Sequence, residues 1–493
     1  MAFFAFVPLL RALEGAARAG SFRLGYAAGV VGSLGILYWT ALVVAQFGAQ
    51  GLPVGIGAML LLCLAVGAFP ASAAWLTGRC IRRFGRSGLL IWPVAWVATE
   101  LVRDRTVFRF PWCLLGYSQV DVLPYAQLAS LGGVYLVSFW VAGTGAVLAW
   151  AIGEPRLPRR RLGLTSLALA HLLALGFGFS RLGTEVASGG SLKVALVQPS
   201  IPQDEKWRPD LLAENLFEHE QLSRSEAVAG ARLVVWPESA VPFPFDSDRV
   251  AASRLAELAR AGDHYLLFGN DDFAGHGEEA RIWVGAKLLD PAGRLAMRYH
   301  KIRLVPFGEY VPLEPLLTLG GAFAGKLVDR VGRFTPGEEL TLGEVDGHRL
   351  GTLICYEAIF PDLSRGFTEE GAELLVNVTN DAWYGTTSAP YQHFAMARMR
   401  AIETGLYLVR AANTGISGVV DPRGRALART PLFEERVLVE DVPISTERTL
   451  YAATGDAFAW TCLAAAIVLV LATRRPAARN QSSVISHQVL PRD

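Results

Sequence analysis

The chain is poor in charge. Of its 493 residues only 18% are Asp, Glu, Lys or Arg, against about 25% in an ordinary soluble protein, while 52% are hydrophobic and the mean hydropathy is +0.32. The shortage is uneven. Residues 1–182 hold long apolar runs and almost no acids, whereas residues 185–450 have the mixed composition of a soluble α/β domain. Lysine is scarcer still. Only Lys193, Lys206, Lys287, Lys301 and Lys326 occur, and arginine carries the rest of the positive charge in a net balance of +1. Without a basic run in the globular part, no nucleic-acid partner is expected. The five cysteines make no disulfide framework: Cys63, Cys80, Cys113 and Cys462 lie in membrane-like parts, so Cys355 has no partner within its own domain. No His/Cys/Asp spacing resembles a zinc site and no glycine loop fits a phosphate, so neither metal nor cofactor is expected. No internal repeat is visible. The opening Met1–Leu13 lacks a charged leader and a small-residue cleavage site, which argues against a secretory signal; it reads as the tail of a spanning helix.

What is there begins with the apolar runs. A bilayer core takes roughly 20 apolar residues in helix. Five stretches meet or approach this before residue 185, at 24–47, 53–77, 87–102, 124–152 and 162–181, and a sixth, Ala457–Thr473, ends against Arg474-Arg475. Arginine placement orients them. Arg11, Arg18 and Arg23, then Arg79, Arg82, Arg83 and Arg86, then Arg156, Arg159, Arg160 and Arg161, then the tail, all fall on one side, which we assign to the cytoplasm. Arg103-Asp104-Arg105 with Arg109 is the exception, on the opposite side beside an interfacial Pro111-Trp112. The expected organisation is a membrane helical bundle over 1–184 with about five full spans, an extracytoplasmic domain over 185–450, and a C-terminal helix with a cytoplasmic tail over 451–493. The last twenty residues have a disordered composition.

The outer domain alternates strands and helices. Period-2 and buried-run patterns predict strands over Lys193–Gln198, Leu233–Trp236, Tyr265–Gly269, Ile282–Leu289, Gly351–Cys355, Leu374–Val378 and Tyr407–Ala411. Helical patterns cover Asp210–Ala229, Ser247–Ala261 and Tyr391–Glu403. Ligand sites of α/β folds gather where such strands end. Three ends carry reactive groups: Trp236-Pro237-Glu238-Ser239; Tyr299-His300-Lys301 running into Pro306-Phe307-Gly308-Glu309; and Ile354-Cys355-Tyr356-Glu357, with a turn expected at Pro361. A thiolate is the attacking species, and a free thiol needs help to form one at neutral pH. A lysine favours the thiolate and can meet a developing oxyanion, and a carboxylate in an apolar pocket can take the proton. Nucleophile, base and cation together suit acyl transfer through a thioester.

Each piece alone has a plainer explanation. Cys355 as a lone strand cysteine could fill a core. Glu238 could cap a helix N-terminus, Lys301 could be a solvated charge, and Glu309 with Glu357 could form a structural network. His300 and His393 raise a cysteine–histidine dyad, but neither has a better context than Lys301.

In combination and in this order, the motifs resemble the Glu-Lys-Cys triad of the nitrilase superfamily. Joined to a multi-span membrane part, to Asn380-Asp381-Ala382-Trp383-Tyr384-Gly385 and to Met396-Ala397-Arg398-Met399-Arg400-Ala401, they resemble the apolipoprotein N-acyltransferase family from Phe3 to about Thr473. The resemblance implies a nitrilase-like αββα sandwich, with Glu238 as base, Lys301 as stabiliser of thiolate and oxyanion, and Cys355 as nucleophile. It also implies supporting roles at the acyl site for Glu309, Tyr356, Glu357, Trp207 and Trp383. It implies a phospholipid acyl donor, a diacylglyceryl apolipoprotein acceptor, a monomeric enzyme and a bacterial inner-membrane location with the catalytic domain in the periplasm. The departure is at the start: the family usually has eight spans, and here the first is absent and the second is cut to Met1–Leu13.

Two apolar loops, Val241-Pro242-Phe243-Pro244-Phe245 and Pro312–Leu327, either dip into the membrane interface or pack on their own domain. Two other functions compete. A membrane-tethered amidase or nitrile hydrolase would use the same triad with water as acceptor. A transporter with an outer binding domain would need ionisable groups within its spans, where Glu100 and His171 are the clearest.

Overall fold

The computed structural model describes residues 2–48, 51–106, 109–275, 280–312 and 333–474. The second apolar loop therefore lies outside the described residues except for Pro312, as do the tail beyond Arg474 and its composition-based disorder.

The amino-terminal third is helical: α1 (Val7–Glu14), α2 (Arg18–Leu37), α3 (Trp39–Phe47), α4 (Gly51–Phe84), α5 (Trp92–Arg105), α6 (Leu123–Ala126), α7 (Ala129–Gly153) and α8 (Leu157–Gly183). Among the described residues, three helical runs are long and apolar enough to cross a membrane: Gly51–Arg105, Ala129–Gly153 and Leu157–Gly183. The stretch expected as one span over 24–47 is broken, because α2 and α3 meet at 56°. The first long run doubles back. Gly85 takes φ 65°, and at Gly88 the chain lies against the backbone of Cys80 and Ile81, so α5 returns along α4. The stretch expected over 124–152 is also interrupted, at Gly132-Gly133, where Gly133 has φ 68° and a side chain would strike the ring of Tyr451. The interruption exposes new N–H groups, and Glu403 accepts one of them, from Val134, at 2.7 Å.

The domain that follows is built on two six-stranded sheets. The first has the order β14 (Arg436–Ser445), β1 (Ser188–Gln198), β2 (Leu233–Val235), β3 (Tyr265–Gly269), β6 (Gly285–Leu289), β7 (Leu295–His300). The second has the order β13 (Ala426–Arg429), β12 (Gly418–Val420), β11 (Tyr407–Ala412), β10 (Leu374–Thr379), β9 (His348–Ile354), β8 (Leu342–Val345). A small ribbon pairs β4 (Asp272–Ala274) with β5 (Arg281–Trp283). In each sheet three consecutive strands run parallel, β1-β2-β3 and β9-β10-β11, with antiparallel strands on both flanks. The two sheets thus repeat one topology that no sequence similarity announces.

Alternation along each strand sorts its side chains between layers. Leu192, Val194 and Leu196 of β1 join Leu350, Val376, Val378 and Leu408 of the second sheet in one core. Ala195 and Val197 face the other way, against Leu216 of α9 (Leu212–Ser223) and Leu255, Leu258 and Ala259 of α10 (Arg249–Gly262). On the far side of the second sheet lie α11 (Pro361–Glu369) and α12 (Ala389–Thr404), where Gly351 of β9 lets Phe367 of α11 approach. The result is an αββα sandwich. Two expected boundaries differ: Ile282–Leu289 divides at Val284 into β5 and β6, and the turn after β9 begins at Cys355 itself, with a helix starting at Pro361. The loop Val241–Phe245 packs inward, with Phe243 and Phe245 against the α9–α10 core and Asn270 bonded to the Val241 and Phe243 carbonyls.

Helix α12 joins the two halves. Its Gln392 accepts from the indoles of Trp39 (3.2 Å) and Trp112 (2.8 Å), and its buried Arg400 donates to the Tyr117 hydroxyl at 2.8 Å. After the sandwich come α13 (Leu450–Thr454) and α14 (Ala457–Ala472), and α14 packs back against α5 and α7. The sixteen residues of α14 are apolar but short of a full span.

Candidate active site

The carboxyl ends of strands from both sheets meet at one place. Glu238 follows β2, Lys301 follows β7, Asn380 follows β10 and Cys355 follows β9. Lys301 is fully buried. Its ammonium donates to Glu238 Oε1 at 3.1 Å and Glu309 Oε1 at 2.6 Å. The other oxygen of Glu238 accepts the Asn380 backbone N–H at 3.0 Å, and Glu309 Oε2 accepts that of Val305 at 2.8 Å. Both carboxylates are fixed at two points, and so is the cation between them. Burial alone would discharge Lys301, but Glu238 and Glu309 outweigh it and hold its pKa well above the ordinary lysine value.

Cys355 is buried at the first position of a tight turn, with φ 50°. Ser239 (φ 48°), next to Glu238, and Phe307 (φ 60°), two residues before Glu309, share this sparsely populated conformation. Such strain persists only where surrounding contacts enforce it. Burial, followed by the charge of Glu238, pushes the Cys355 thiol well above its ordinary pKa, and Lys301 only partly opposes this. The cysteine therefore rests as a thiol, since the lysine's charge is already committed to two carboxylates.

Glu357 does not reach the cluster. Its oxygens accept from the Tyr299 hydroxyl (2.9 Å) and the backbone N–H groups of Ile302 (2.7 Å), Arg303 (3.1 Å) and Ile354 (2.8 Å). It thus ties the end of β7 to the end of β9, which sets Lys301 beside Cys355. Of the two readings left open for this residue, the structural one describes its contacts. Burial lifts its pKa to about 7. His393 approaches Cys355 only at the backbone, with Nε2 3.0 Å from the carbonyl oxygen, and its other nitrogen lies with Asp381 and Arg410. His300 bonds Asp272 instead. A cysteine–histidine dyad is not formed.

The family model for carbon-nitrogen hydrolases matches residues 193–451, and the model for the apolipoprotein N-acyltransferase N-terminal domain matches residues 1–147. The apolipoprotein N-acyltransferase of Geobacter metallireducens is 41% identical over 98% of this chain and 92% of its own length. That of Methylococcus capsulatus is 36% identical over 95% and 90%. The chain belongs to the apolipoprotein N-acyltransferase family. It is an acyltransferase within the carbon–nitrogen hydrolase superfamily, carried on membrane helices. Among solved structures, a mutant of the Nesterenkonia AN1 amidase from the nitrilase superfamily aligns with 53% of this chain and 94% of its own, at 24% identity and a TM-score of 0.40.

Two aromatic residues expected at the acyl site stand differently from the rest. Trp207 is 45% exposed, and Trp383 is 39% exposed with its ring edge-on to Phe47 of α3 at 4.7 Å. Tyr356 is buried against Phe360, with its ring stacked at 6.5 Å from Trp112. The residue that reaches inward beside Trp207 is Lys206, for which the sequence pattern offers no site role. Lys206 is buried and donates to the Glu238 backbone carbonyl at 2.8 Å. Burial draws its pKa down to about 8. Asp271, after β3, adds a third carboxyl to the cluster, pushed up to about 7 by burial and by Glu238. The scarcity of lysine was the one signal that pointed to Lys206, eight residues beyond the end of β1 at Gln198, because few lysines compete for a buried role.

Proposed function

We propose that Cys355 is the nucleophile, Glu238 the general base and acid, and Lys301 the cation for the oxyanion in a two-step acyl transfer. The first substrate is a membrane phospholipid and the second a diacylglyceryl-cysteine apolipoprotein. Glu238 takes the thiol proton as Cys355 Sγ attacks the sn-1 ester carbonyl, and Lys301 meets the oxyanion that develops. Collapse breaks the ester C–O bond, and the lysophospholipid oxygen leaves with the proton from Glu238. The thioester is then attacked by the α-amine of the acceptor, Glu238 receives the amine proton, and the thiol is restored as the amide forms.

The observation that carries this reading is the buried Lys301 ammonium held between two carboxylates beside a strained cysteine. A thiol that rests protonated calls for a base acting during attack rather than a preformed thiolate. Glu309 then anchors Lys301, Glu357 holds Lys301 beside Cys355 by tying the ends of β7 and β9, and Tyr356 shapes the approach.

The division into 1–184, 185–450 and 451–493 gives the chemistry its height. Helices on both sides of the catalytic domain hold its site where ester and amine emerge from a bilayer, which shortens the search for both. The arginine asymmetry supports a periplasmic catalytic domain in a bacterial inner membrane. The test is intact-protein mass spectrometry after incubation with a diacyl phospholipid. We expect one acyl chain on Cys355, removed on adding an apolipoprotein peptide with a free amine. Release of free fatty acid without an adduct that the amine can discharge overturns the assignment.

A further inference from the structure

The arginines that sit on the unexpected side of the membrane find their use beside the active site. Arg105 at the end of α5 and Arg109 just beyond it converge with Arg303 on a single oxygen, Oδ2 of Asp362, at 2.6, 2.8 and 3.3 Å. Arg105 has further partners in Asp456 (2.5 Å) and Asp104 (3.4 Å), so its charge is matched. For Arg109 and Arg303, Asp362 is the one carboxylate within salt-bridge reach among the described residues. One carboxylate oxygen shared three ways leaves these two guanidinium groups short of negative charge. The Nε of Arg303 is buried without a partner, and so is the second oxygen of Asp362.

Both groups lie over the same ring, with the guanidinium carbons of Arg109 and Arg303 5.8 and 6.0 Å from the centre of Phe360. Their side chains remain 26% and 28% exposed. The pair is also tied to the reacting groups. Arg303 is two residues from Lys301, and the Tyr356 hydroxyl, next to Cys355, donates to the Arg109 carbonyl at 3.4 Å. Phe110 and Trp112 follow Arg109 and stack on one another, an arrangement suited to the membrane–water boundary.

We propose that Arg109 and Arg303 bind the phosphate of the phospholipid donor, seated on the Phe360 ring, and so place its acyl ester at Cys355. Two paired guanidiniums offer the forked N–H geometry that phosphate oxygens take up. Asp362 keeps both side chains in position while the site is empty of lipid. The inference rests on the acyl-transfer reading above and adds to it the group by which the donor is held.

The experiment uses the full chain in detergent micelles and follows Cys355 acylation by mass spectrometry from two donors with the same acyl chains: a diacyl phosphatidylglycerol and the corresponding diacylglycerol, which lacks phosphate. Wild type should acylate roughly tenfold or more faster from the phospholipid, the scale of one lost charge-assisted contact. In Arg109→Gln/Arg303→Gln the ratio of the two rates should fall toward one, and Arg303→Lys alone should keep most of it. In wild type, added glycerol 3-phosphate should slow the phospholipid reaction and spare that of diacylglycerol, a measurement that needs no variant to fold. A rate ratio unchanged in the double variant, or both donors slowed equally by glycerol 3-phosphate, overturns the phosphate site while leaving the thioester chemistry standing. Absence of any adduct in wild type overturns the acyl-transfer reading, and the phosphate site with it.

Discussion

Two lysines of one sheet are equally buried, and each is held by acidic or amide oxygens, yet they stand in different chemical settings. Lys287 lies in the middle of β6, paired with Phe268 on one side and Arg298 on the other. Its ammonium donates to Asn270 (2.7 Å) and Asp272 (2.5 Å). Burial raises the Asp272 carboxyl, but the hydrogen bonds from His300 and Lys287 more than offset this and bring it to about 2. Lys301 stands one residue beyond the end of β7, held by the carboxylates of Glu238 and Glu309. A mid-strand lysine is enclosed by its own ladder and can serve only the fold. A lysine just past a strand end faces loops on the far side, where a substrate can be admitted. The same kind of buried ion pair lies inside the ladder in one register and at the proposed reaction site in the other.

The strongest way to break this comparison is to remove what only the Lys301 cluster has. Cys355→Ala should lower acyl transfer by roughly 10⁴-fold or more, with no adduct by mass spectrometry and an unchanged circular dichroism spectrum. Near-wild-type transfer in that variant would make Lys301 as structural as Lys287.

The next test exchanges the two lysines' roles directly. Lys301→Met and Lys287→Met each strand a buried carboxylate and should each cost roughly 3–5 kcal/mol of stability. Only Lys301→Met should also slow thioester formation per folded molecule, by roughly 10²- to 10³-fold. Lys301→Arg should not restore the rate, because a planar guanidinium does not fit where a compact ammonium meets two carboxylates. Equal rates for the Lys287 and Lys301 variants, measured on folded protein, would erase the distinction.

Glu238→Gln keeps the shape and removes the base. Thioester formation should slow by roughly 10²-fold, read as the single-turnover rate of Cys355 acylation, while Lys301 stays held by Glu309. A loss of folding rather than rate would assign Glu238 to the scaffold.

The mildest test concerns Asp271. Its folded pKa, about 7, lies above the ordinary 3.8, so the folded state binds the proton more tightly than the unfolded chain. The stability this gives is complete below about pH 4 and is lost as pH rises through 7. Asp271→Asn should therefore lose less thermal stability than wild type between pH 4 and 7, as followed by melting temperature in detergent. Parallel curves would show that Asp271 does not carry that slope.

Much of the plan was legible in the sequence because it is local. A run such as Leu374–Val378 is buried on both faces and needs no knowledge of its partners to be read as a strand. The strand ends at Glu238, Lys301 and Cys355 stand out for the same reason, as polar groups placed directly after apolar runs. Strand β14 is not evident in the sequence because its apolar run Val437-Leu438-Val439 is short and is followed at the sheet edge by Glu440-Asp441 and Pro443. The break at Tyr38 is not evident in the sequence because both arms are apolar, and composition carries no angle.

The sequence by itself determined that this chain divides into membrane helices and an α/β domain, and which side chains wait at the strand ends. Hydrophobic periodicity and charge placement suffice for that, since both act over a few residues. The tertiary structure decided what each of those side chains meets. Glu238 and Lys301 are brought together across 63 residues, and Glu238 finds the Asn380 N–H across 142. Those meetings follow from which strand lies beside which and from two sheets closing face to face. Lys206, Asp271 and the arginines around Asp362 acquire their settings in the same way, because burial and shared partners are properties of the packed interior and not of any stretch of chain.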